Sequence, residues 1–127
     1  MALKVVAGFL RKENKFLLVR RPFNKKRGGL WEFPGGKVEK EESLEEAIER
    51  ELREELGIET KAKKMLCKVN HRYPEGEIEL MLFEVEFKEA PVLREALELK
   101  WVSFEEAKNL ELCPADRELI ETLKGDL

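Results

Sequence analysis

The chain has 127 residues, a length typical of one compact domain, so we expect a single domain over residues 1–127. Charged residues make up 40% of the chain, and Lys and Glu are interleaved, which indicates a solvated globular surface and not a disordered tail. The net charge of -3 provides no electrostatic attraction for duplex nucleic acid, and we expect no such partner.

The N-terminal residues Met1 to Lys4 lack the long apolar segment of a signal peptide, and no apolar run reaches membrane-spanning length. Cys67 and Cys113 lie far apart without metal-ligand spacing, which disfavours a zinc site and favours reduced thiols. We therefore expect a soluble cytoplasmic protein with no membrane partner. The sequence leaves both a monomer and a homodimer open.

Two apolar, β-prone segments begin the chain, Leu3–Leu10 and Phe16–Val19. The polar residues Lys12–Lys15 separate them, and this pattern predicts a β-hairpin. The basic, glycine-containing segment Asn24–Gly29 follows and is predicted to be a surface loop. It leads into the sequence Leu30–Gly36.

A helix is predicted from Leu44 to Leu56. Ser43 and Glu46 form a capping box at its start, and Gly57 provides a C-terminal stop. Its apolar stripe consists of Ile48, Leu52 and Leu56.

The segments Met65–Arg72 and Ile78–Phe87 are predicted strands joined by the turn Tyr73–Gly76. The second strand carries apolar side chains on both faces, which is typical of a strand covered on both sides. This pattern predicts helices on the two faces of one sheet. The available helices are Leu44–Leu56, a short helix after the Ser103–Glu106 capping box, and Ala115–Lys124.

Three carboxylates share one edge of the first predicted helix. With Glu51 at zero, Glu54 lies at about −60° and Glu55 at about +40° on the helical wheel. Three like charges beside an apolar stripe repel one another, and a hard divalent cation with oxygen ligands would compensate them. The alternative interpretation is a solvated, glutamate-rich helix face.

The surrounding residues resemble the Nudix hydrolase family. Every fixed position of the Nudix box GX5EX7REUXEEXGU is matched, by Gly36, Glu42, Arg50-Glu51-Leu52, Glu54-Glu55 and Gly57-Ile58. The segment Trp31–Lys37 resembles the LEFPGGK stretch of MutT-like members, and Cys113–Asp116 resembles their PPAN stretch. The resemblance implies the Nudix fold, an α/β/α sandwich with a central mixed β-sheet.

The resemblance also implies a metal site. Its ligands for Mg²⁺, with Mn²⁺ as a possible substitute, would be Glu51, Glu54, Glu55, Glu95 and the backbone carbonyl of Gly35. Glu95 precedes Trp101 by six residues, as an additional metal ligand does in MutT-like members, although Glu98 or simple surface charge is an alternative.

The implied catalytic residues are Glu51, Glu54, Arg50 and Glu95. Glu51 is the preferred general base and Glu95 its rival. Arg50 and Glu42 would orient the ligands, or they form an ordinary surface ion pair.

The candidate substrate-binding residues are Arg20, Arg21, Phe33, Gly36, Lys37, Arg72 and Asp116. Arg21 has the same spacing from the FPGG stretch as a substrate-binding arginine of MutT. Because strand side chains alternate, only one of Arg20 and Arg21 should face the site. For the basic residues the alternative is a solvated surface charge, and for Phe33 it is a place in the core.

Asp116 stands where MutT-like enzymes for oxidised guanine often carry asparagine. An ionised aspartate only accepts hydrogen bonds, which suits the N4 amino group of cytosine and would repel the O6 of guanine. Asp116 therefore favours a (d)CTP-type or modified cytosine nucleotide. Some relatives use aspartates for oxidised purines, and a helix N-terminal residue favoured by the helix dipole is a further interpretation.

The expected reaction is Mg²⁺-dependent hydrolysis of a nucleoside triphosphate to the monophosphate and pyrophosphate, as nucleotide-pool housecleaning. Alternatives are an 8-oxo-dGTP diphosphatase or a hydrolase of a dinucleoside polyphosphate or ADP-ribose. A nucleotide-binding sensor without turnover is a third hypothesis, although such domains typically lose glutamates of the box and here all are present.

Overall fold

The computed structural model describes residues 2–126 and contains eight strands and three helices in that range. The strands are β1 (Leu3–Phe9), β2 (Arg11–Lys12), β3 (Lys15–Arg20), β4 (Trp31–Glu32), β5 (Gly35–Lys37), β6 (Thr60–Tyr73), β7 (Gly76–Phe87) and β8 (Glu98–Val102). The helices are α1 (Leu44–Leu56), α2 (Phe104–Ala107) and α3 (Pro114–Asp126). Within residues 2–126, no helix is both long and apolar enough to cross a lipid bilayer.

The strands form two sheets. The first is mixed and has the order β5-β1-β7-β6, with β1 parallel to β7 and the other neighbours antiparallel. In the second sheet, β3 pairs antiparallel with β2, β4 and β8. The mixed sheet is the central sheet that the sequence predicted.

Helices cover both faces of the mixed sheet, because its central strands carry apolar side chains in both directions. On β7, Met81 and Phe83 pack in the cluster that contains the buried stripe of α1. Leu80 and Leu82 pack in the other cluster, which contains the buried residues of α3. The predicted α/β/α architecture is therefore confirmed. It follows from the apolar side chains that β7 carries on both of its faces.

Helix α1 has the predicted bounds, which follow from local interactions. The Ser43 hydroxyl accepts a hydrogen bond from the Glu46 N–H at 3.0 Å, and the Glu46 carboxylate accepts one from the Ser43 N–H at 2.9 Å. At the other end, Gly57 has a φ of 66°, a left-handed conformation that favours glycine, and its N–H donates to the Arg53 carbonyl. These caps fix which side chains of α1 face the sheet.

The hairpin predicted from Leu3–Leu10 and Phe16–Val19 is only partly right. Strand β3 pairs with the two-residue β2, whereas β1 joins the other sheet between β5 and β7. Val6 and Ala7 of β1 belong to opposite core clusters, and a position in the centre of a sheet buries both faces of the strand. Strand β6 also begins earlier than predicted, at Thr60, and has register shifts around Met65.

We expect Leu52→Ala to lower the free energy of unfolding by about 2–5 kcal/mol, because Leu52 is fully buried between α1 and the sheet. Leu93→Ala is the control, since Leu93 is exposed and its truncation should change stability by less than about 0.5 kcal/mol. Urea unfolding measures both. Equal costs for the two substitutions would contradict this description of the core.

Candidate functional site

A cavity of about 860 Å³ opens between α1, the mixed sheet and the start of α3. Its floor includes apolar residues of β1 and β7, such as Val5 and Leu80. Carboxylates stand at two of its borders. Glu51, Glu55 and Glu95 line the border near α1, and Asp116 lines the border near the start of α3. Glu32 is close enough to both for its charge to act on Glu55 and on Asp116.

Glycines of β5 bring the backbone against the glutamates of α1. A Cβ atom on Gly36 would lie 2.4–2.5 Å from the carboxylate atoms of Glu51, so any side chain there would displace this carboxylate. The backbone N–H of Gly35 donates to Glu55 Oε2 at 3.2 Å. The FPGG stretch therefore binds Glu55 through Gly35 and leaves space for Glu51 beside Gly36.

The environment of Glu51 and Glu55 disfavours their charged forms. Burial raises the pKa of Glu55 well above its ordinary value, and the neighbouring charges of Glu32, Glu51 and Glu95 raise it further. Burial also raises the pKa of Glu51, against the opposing effect of Arg50. Oxygen donors that repel one another in this way fit a hard divalent cation, which would favour their charged forms.

Glu54 is more exposed than these two carboxylates but adjoins Glu51, because Nη1 of Arg50 donates to both side chains and the charge of Glu54 helps to raise the pKa of Glu51. Its side chain is exposed and does not line the cavity, and its Oε1 accepts a hydrogen bond from Arg50 at 3.1 Å. Among residues 2–126, the set of three potential ligands within 4.8 Å of one another is Glu32, Cys113 and Asp116. The acidic edge of α1 is therefore present, but its three carboxylates do not converge to that distance.

Arg50 connects the acidic residues of α1 to the loop before the helix. Its guanidinium donates to both carboxylate oxygens of Glu42, to Glu51 at 3.0 Å and to the Lys37 carbonyl at 3.0 Å. The hydrogen bonds with Glu42 are the main cause that raises the pKa of Arg50, and they lower the pKa of Glu42. Arg50 thus contacts the Glu51 carboxylate while its own guanidinium is held by Glu42.

Glu95 lies in the segment 88–97, which has no helix or strand, and it lines the same cavity as the helix glutamates. Its charge is close enough to contribute to the raised pKa of Glu51 and of Glu55. Glu98, the alternative, instead accepts a hydrogen bond from Arg20 at 3.0 Å and does not line the cavity.

The structure separates the two adjacent arginines as strand alternation predicts. Arg21 lines the cavity and pairs with both carboxylate oxygens of Glu32, at 3.0 and 3.2 Å. Arg20 is directed elsewhere: its guanidinium donates to the Gly29 carbonyl at 2.8 Å and to Glu98. Arg20 is therefore corrected as a candidate, because its position on β3 turns it away from the site.

Arg72 is a second correction. Its neighbour Tyr73 lines the cavity, and alternation along β6 turns Arg72 to the other face, where it is exposed. Lys37, Gly36 and Phe33 do line the cavity. Phe33 is also a core residue, stacked on Phe16 with ring centroids 5.5 Å apart.

Glu32 and Cys113 join Asp116 at the buried border of the cavity, and sequence reasoning missed both. The Cys113 N–H donates to the Trp31 carbonyl at 2.9 Å, which brings the start of α3 beside β4. Asp116 is buried, and its Oδ1 accepts a hydrogen bond from the Phe33 N–H at 2.9 Å. A carboxylate between two aromatic residues, as in Trp31-Glu32-Phe33, is the signal that could have indicated Glu32.

The pKa values at this border are raised. Burial is the main cause for Asp116 and for Glu32, and the negative charge of Glu32 raises the pKa of Asp116 further. Arg21 opposes these effects. These shifts favour the protonated form of the two carboxyl groups, which would donate a hydrogen bond where the ionised form only accepts.

The basic loop Asn24–Gly29, predicted to be on the surface, also reaches across the cavity. The guanidinium of Arg27 lies over the Tyr73 ring at 3.6 Å and pairs with Glu75 at 2.7 Å. Burial raises the pKa of Tyr73 to about 12, and its hydroxyl accepts a hydrogen bond from the Ala115 N–H at 3.0 Å. This loop thus connects the β6–β7 turn with the start of α3.

Known proteins are similar to this chain in sequence and in fold. The NUDIX domain model matches residues 1–123. The chain is 40% identical over 120 residues to a CTP pyrophosphohydrolase of Escherichia coli (strain K12), covering 94% of this chain and 89% of the relative. It is 32% identical over 124 residues to an 8-oxo-dGTP diphosphatase of the same strain, covering 96% of each. The crystal structure of MutT protein from Methanosarcina mazei Go1 has a TM-score of 0.90 and 32% identity, covering 98% of this chain and 94% of that one.

We expect Glu55→Gln to raise the free energy of unfolding at pH 7 in metal-free buffer. The folded-state pKa of Glu55 is raised, so the charged carboxylate destabilises the fold above that pKa, and glutamine removes the charge. The gain should shrink as the pH falls through the raised pKa and approach zero below the ordinary carboxyl pKa of about 4.3.

Glu54→Gln is the matched control, because Glu54 is exposed on the same helix and its substitution should have little effect at either pH. Urea unfolding at several pH values measures both variants. A destabilised Glu55→Gln variant at pH 7 would show that the burial of this charge has been misjudged.

Proposed function

Since this chain belongs to the Nudix family and is a nucleotide pyrophosphohydrolase, we propose that it hydrolyses a (d)CTP-type nucleotide to the monophosphate and pyrophosphate with Mg²⁺. The observation that carries the proposal is the placement of carboxylates at two borders of one cavity. Glu51, Glu55 and Glu95 provide a place for metal and phosphates, and Asp116 provides a place for the base. The proposed role is housecleaning of the cytoplasmic nucleotide pool.

The proposed metal ligands are Glu51, Glu54, Glu55, Glu95 and the Gly35 carbonyl. This donor set consists of oxygen atoms, which Mg²⁺ prefers and Mn²⁺ accepts. A bound divalent cation would offset the repulsion between the carboxylates and the phosphates and lower the pKa of a coordinated water. The close contact between Gly36 and Glu51 supports the assignment, because it holds a carboxylate where a larger residue would exclude it.

The residues of the chain then have distinct roles. Lys37 lines the cavity and would bind phosphate oxygens, and Arg21 would do so on release from its ion pair with Glu32. Glu51 would accept the proton from the attacking water, with Glu95 as its rival, and either must lie within hydrogen-bond distance of that water. Arg50 holds Glu51 by a 3.0 Å hydrogen bond and would preserve the orientation of its carboxylate during the reaction.

The proposed base preference rests on Asp116. Its ionised carboxylate only accepts hydrogen bonds and would pair with the N4 amino group of cytosine. Glu32 adds a second carboxylate within 4.8 Å, and the apolar floor with Val5 and Leu80 suits the face of a base. The CTP pyrophosphohydrolase relative supports the same base preference for this chain.

An 8-oxo-dGTP diphosphatase is the second candidate, and the raised pKa of Asp116 favours it. A protonated Asp116 would donate as well as accept, which suits the acceptor edge of an oxidised guanine. The relatives that carry that activity in their names support the candidate. A nucleotide panel containing dCTP, CTP, 8-oxo-dGTP and ADP-ribose, with Mg²⁺ or EDTA, separates these functions when both nucleoside monophosphate and pyrophosphate are measured, because ADP-ribose would yield AMP and ribose 5-phosphate without pyrophosphate. No turnover of any member in Mg²⁺ would refute the proposal.

We expect Glu54→Gln and Glu51→Gln to lower kcat with the preferred nucleotide by about 10²-fold or more, because each would remove a metal-binding charge. Glu45→Gln is the control, since Glu45 is exposed on the first turn of the same helix. Mg²⁺ titrations of steady-state activity measure all three variants. Unchanged metal dependence in Glu54→Gln would remove Glu54 from the ligand set.

We expect Asp116→Asn to reduce the preference for dCTP over 8-oxo-dGTP by about tenfold to a hundredfold, because an amide donates as well as accepts. The ratio of kcat/KM values for the two nucleotides is the measurement. Glu121→Gln, on the exposed face of α3, is the control. An unaltered ratio in Asp116→Asn would contradict the proposed base contact.

A further inference from the structure

Glu95 lies in a segment that lacks regular structure. Residues 88–97 form neither helix nor strand, and the Glu95 side chain is exposed. A loop carboxylate gains affinity for a metal when its backbone is held in place before binding, because less conformational freedom is then lost. The contacts of this segment therefore determine how well Glu95 can serve the site.

Two backbone hydrogen bonds hold the segment on either side of Glu95. The Val92 N–H donates to the Leu56 carbonyl at 2.8 Å, at the last residue of α1. The Leu97 N–H donates to the Arg20 carbonyl at 2.9 Å, at the end of β3. The segment around Glu95 is thus anchored at one end to α1, the helix that carries Glu51, and at the other end to β3, the strand that leads to Arg21.

Arg94 makes the third contact, directly beside Glu95. Its guanidinium lies over Gly57, since a Cβ atom on Gly57 would be 2.9 Å from Nε and 3.0 Å from Nη2 of Arg94. A planar guanidinium can lie on this bare backbone, and its positive charge is favourable at the C-terminal end of a helix. Gly57 therefore both ends α1 and provides the surface on which Arg94 lies.

We propose that Arg94 is a positioning residue that fixes Glu95 relative to Glu51 and Glu55 by packing on Gly57 at the C-terminal end of α1. The contact joins the loop carboxylate to the helix that carries the other two carboxylates. This inference rests on the proposed function, since it assumes that Glu95 binds the metal. Arg94 itself contacts neither metal nor nucleotide in this role.

A double-mutant cycle tests the proposal with Arg94→Ala, Glu95→Gln and the double variant. The first readout is the dissociation constant for Mn²⁺ alone, measured by electron paramagnetic resonance without nucleotide. The second is kcat and KM with dCTP and Mg²⁺. Thermal unfolding monitors the fold, and Arg11→Ala is the matched control, because Arg11 is an exposed arginine on β2, which does not line the cavity.

Arg94→Ala should weaken Mn²⁺ binding and lower kcat on the order of tenfold, with a smaller change in KM, because misplacement of a reacting group mainly affects the rate. In the Glu95→Gln background the same substitution should have no further effect. Arg94→Lys keeps the charge but lacks the planar group, so it should restore part of the loss. It also provides a second variant should Arg94→Ala fold poorly.

Equal effects of Arg94→Ala in the wild-type and Glu95→Gln backgrounds would overturn the proposal, as would no effect of Arg94→Ala. A Glu95→Gln variant with unchanged Mn²⁺ affinity would overturn it as well. The failure of the proposed function would be seen separately, as a wild-type protein that releases no pyrophosphate from any nucleotide. The Mn²⁺ titration does not depend on turnover and would still decide the role of Arg94.

Discussion

Repulsion between partly buried carboxylates is the constraint on which the site depends. Glu51 and Glu55 face a cavity that Glu95 also borders, and burial is the main cause that raises their pKa values. Neighbouring carboxylates raise them further, Glu54 and Glu95 for Glu51, and Glu32, Glu51 and Glu95 for Glu55. Arg50 offsets part of this repulsion through Glu51 and Glu42. The fold accommodates such an arrangement because the caps of α1 and the packing of its apolar stripe hold the helix in place. A folding stability lowered by such repulsion is typical of sites in which a bound ligand supplies the compensating charge.

Under the proposed function, the two carboxylate borders of the cavity would divide recognition between phosphate and base. Near α1, the chain offers oxygen ligands, and Arg21 and Lys37 add positive charge along the lining. Near α3, Asp116 is held by the Phe33 N–H and lies beside Glu32, so its orientation depends on the same FPGG stretch that binds Glu55 and leaves space for Glu51. One short segment thus sets the relation between the two borders. A change in that segment would alter metal binding and base preference together.

The parts of this structure that sequence could predict are those determined by local interactions. The bounds of α1 follow from the Ser43–Glu46 box and Gly57, and the double-sided burial of β7 follows from its apolar pattern. Contacts between distant segments could not be derived in this way: Cys113 lies beside Glu32 although 81 positions separate them. Strand alternation predicts that one of Arg20 and Arg21 points away from the cavity. Which of the two does so depends on how β3 pairs within its sheet. Strand β1 is not part of the predicted hairpin. It pairs with the distant strand β7 inside the mixed sheet, and this position buries both of its faces.

The buried Cys113 thiol gives this chain a property suited to oxidising conditions. Burial raises its pKa, and the negative charges of Asp116 and Glu32 raise it further, so very little thiolate exists at neutral pH. Peroxides and alkylating agents attack the thiolate, and a suppressed thiolate reacts slowly. Cys113 is buried and lines the cavity from the start of α3, so oxidation of its sulfur would alter the cavity lining. Here burial, reinforced by the acidic neighbours, keeps the thiolate scarce, so the Cys113 thiol would react slowly with oxidants.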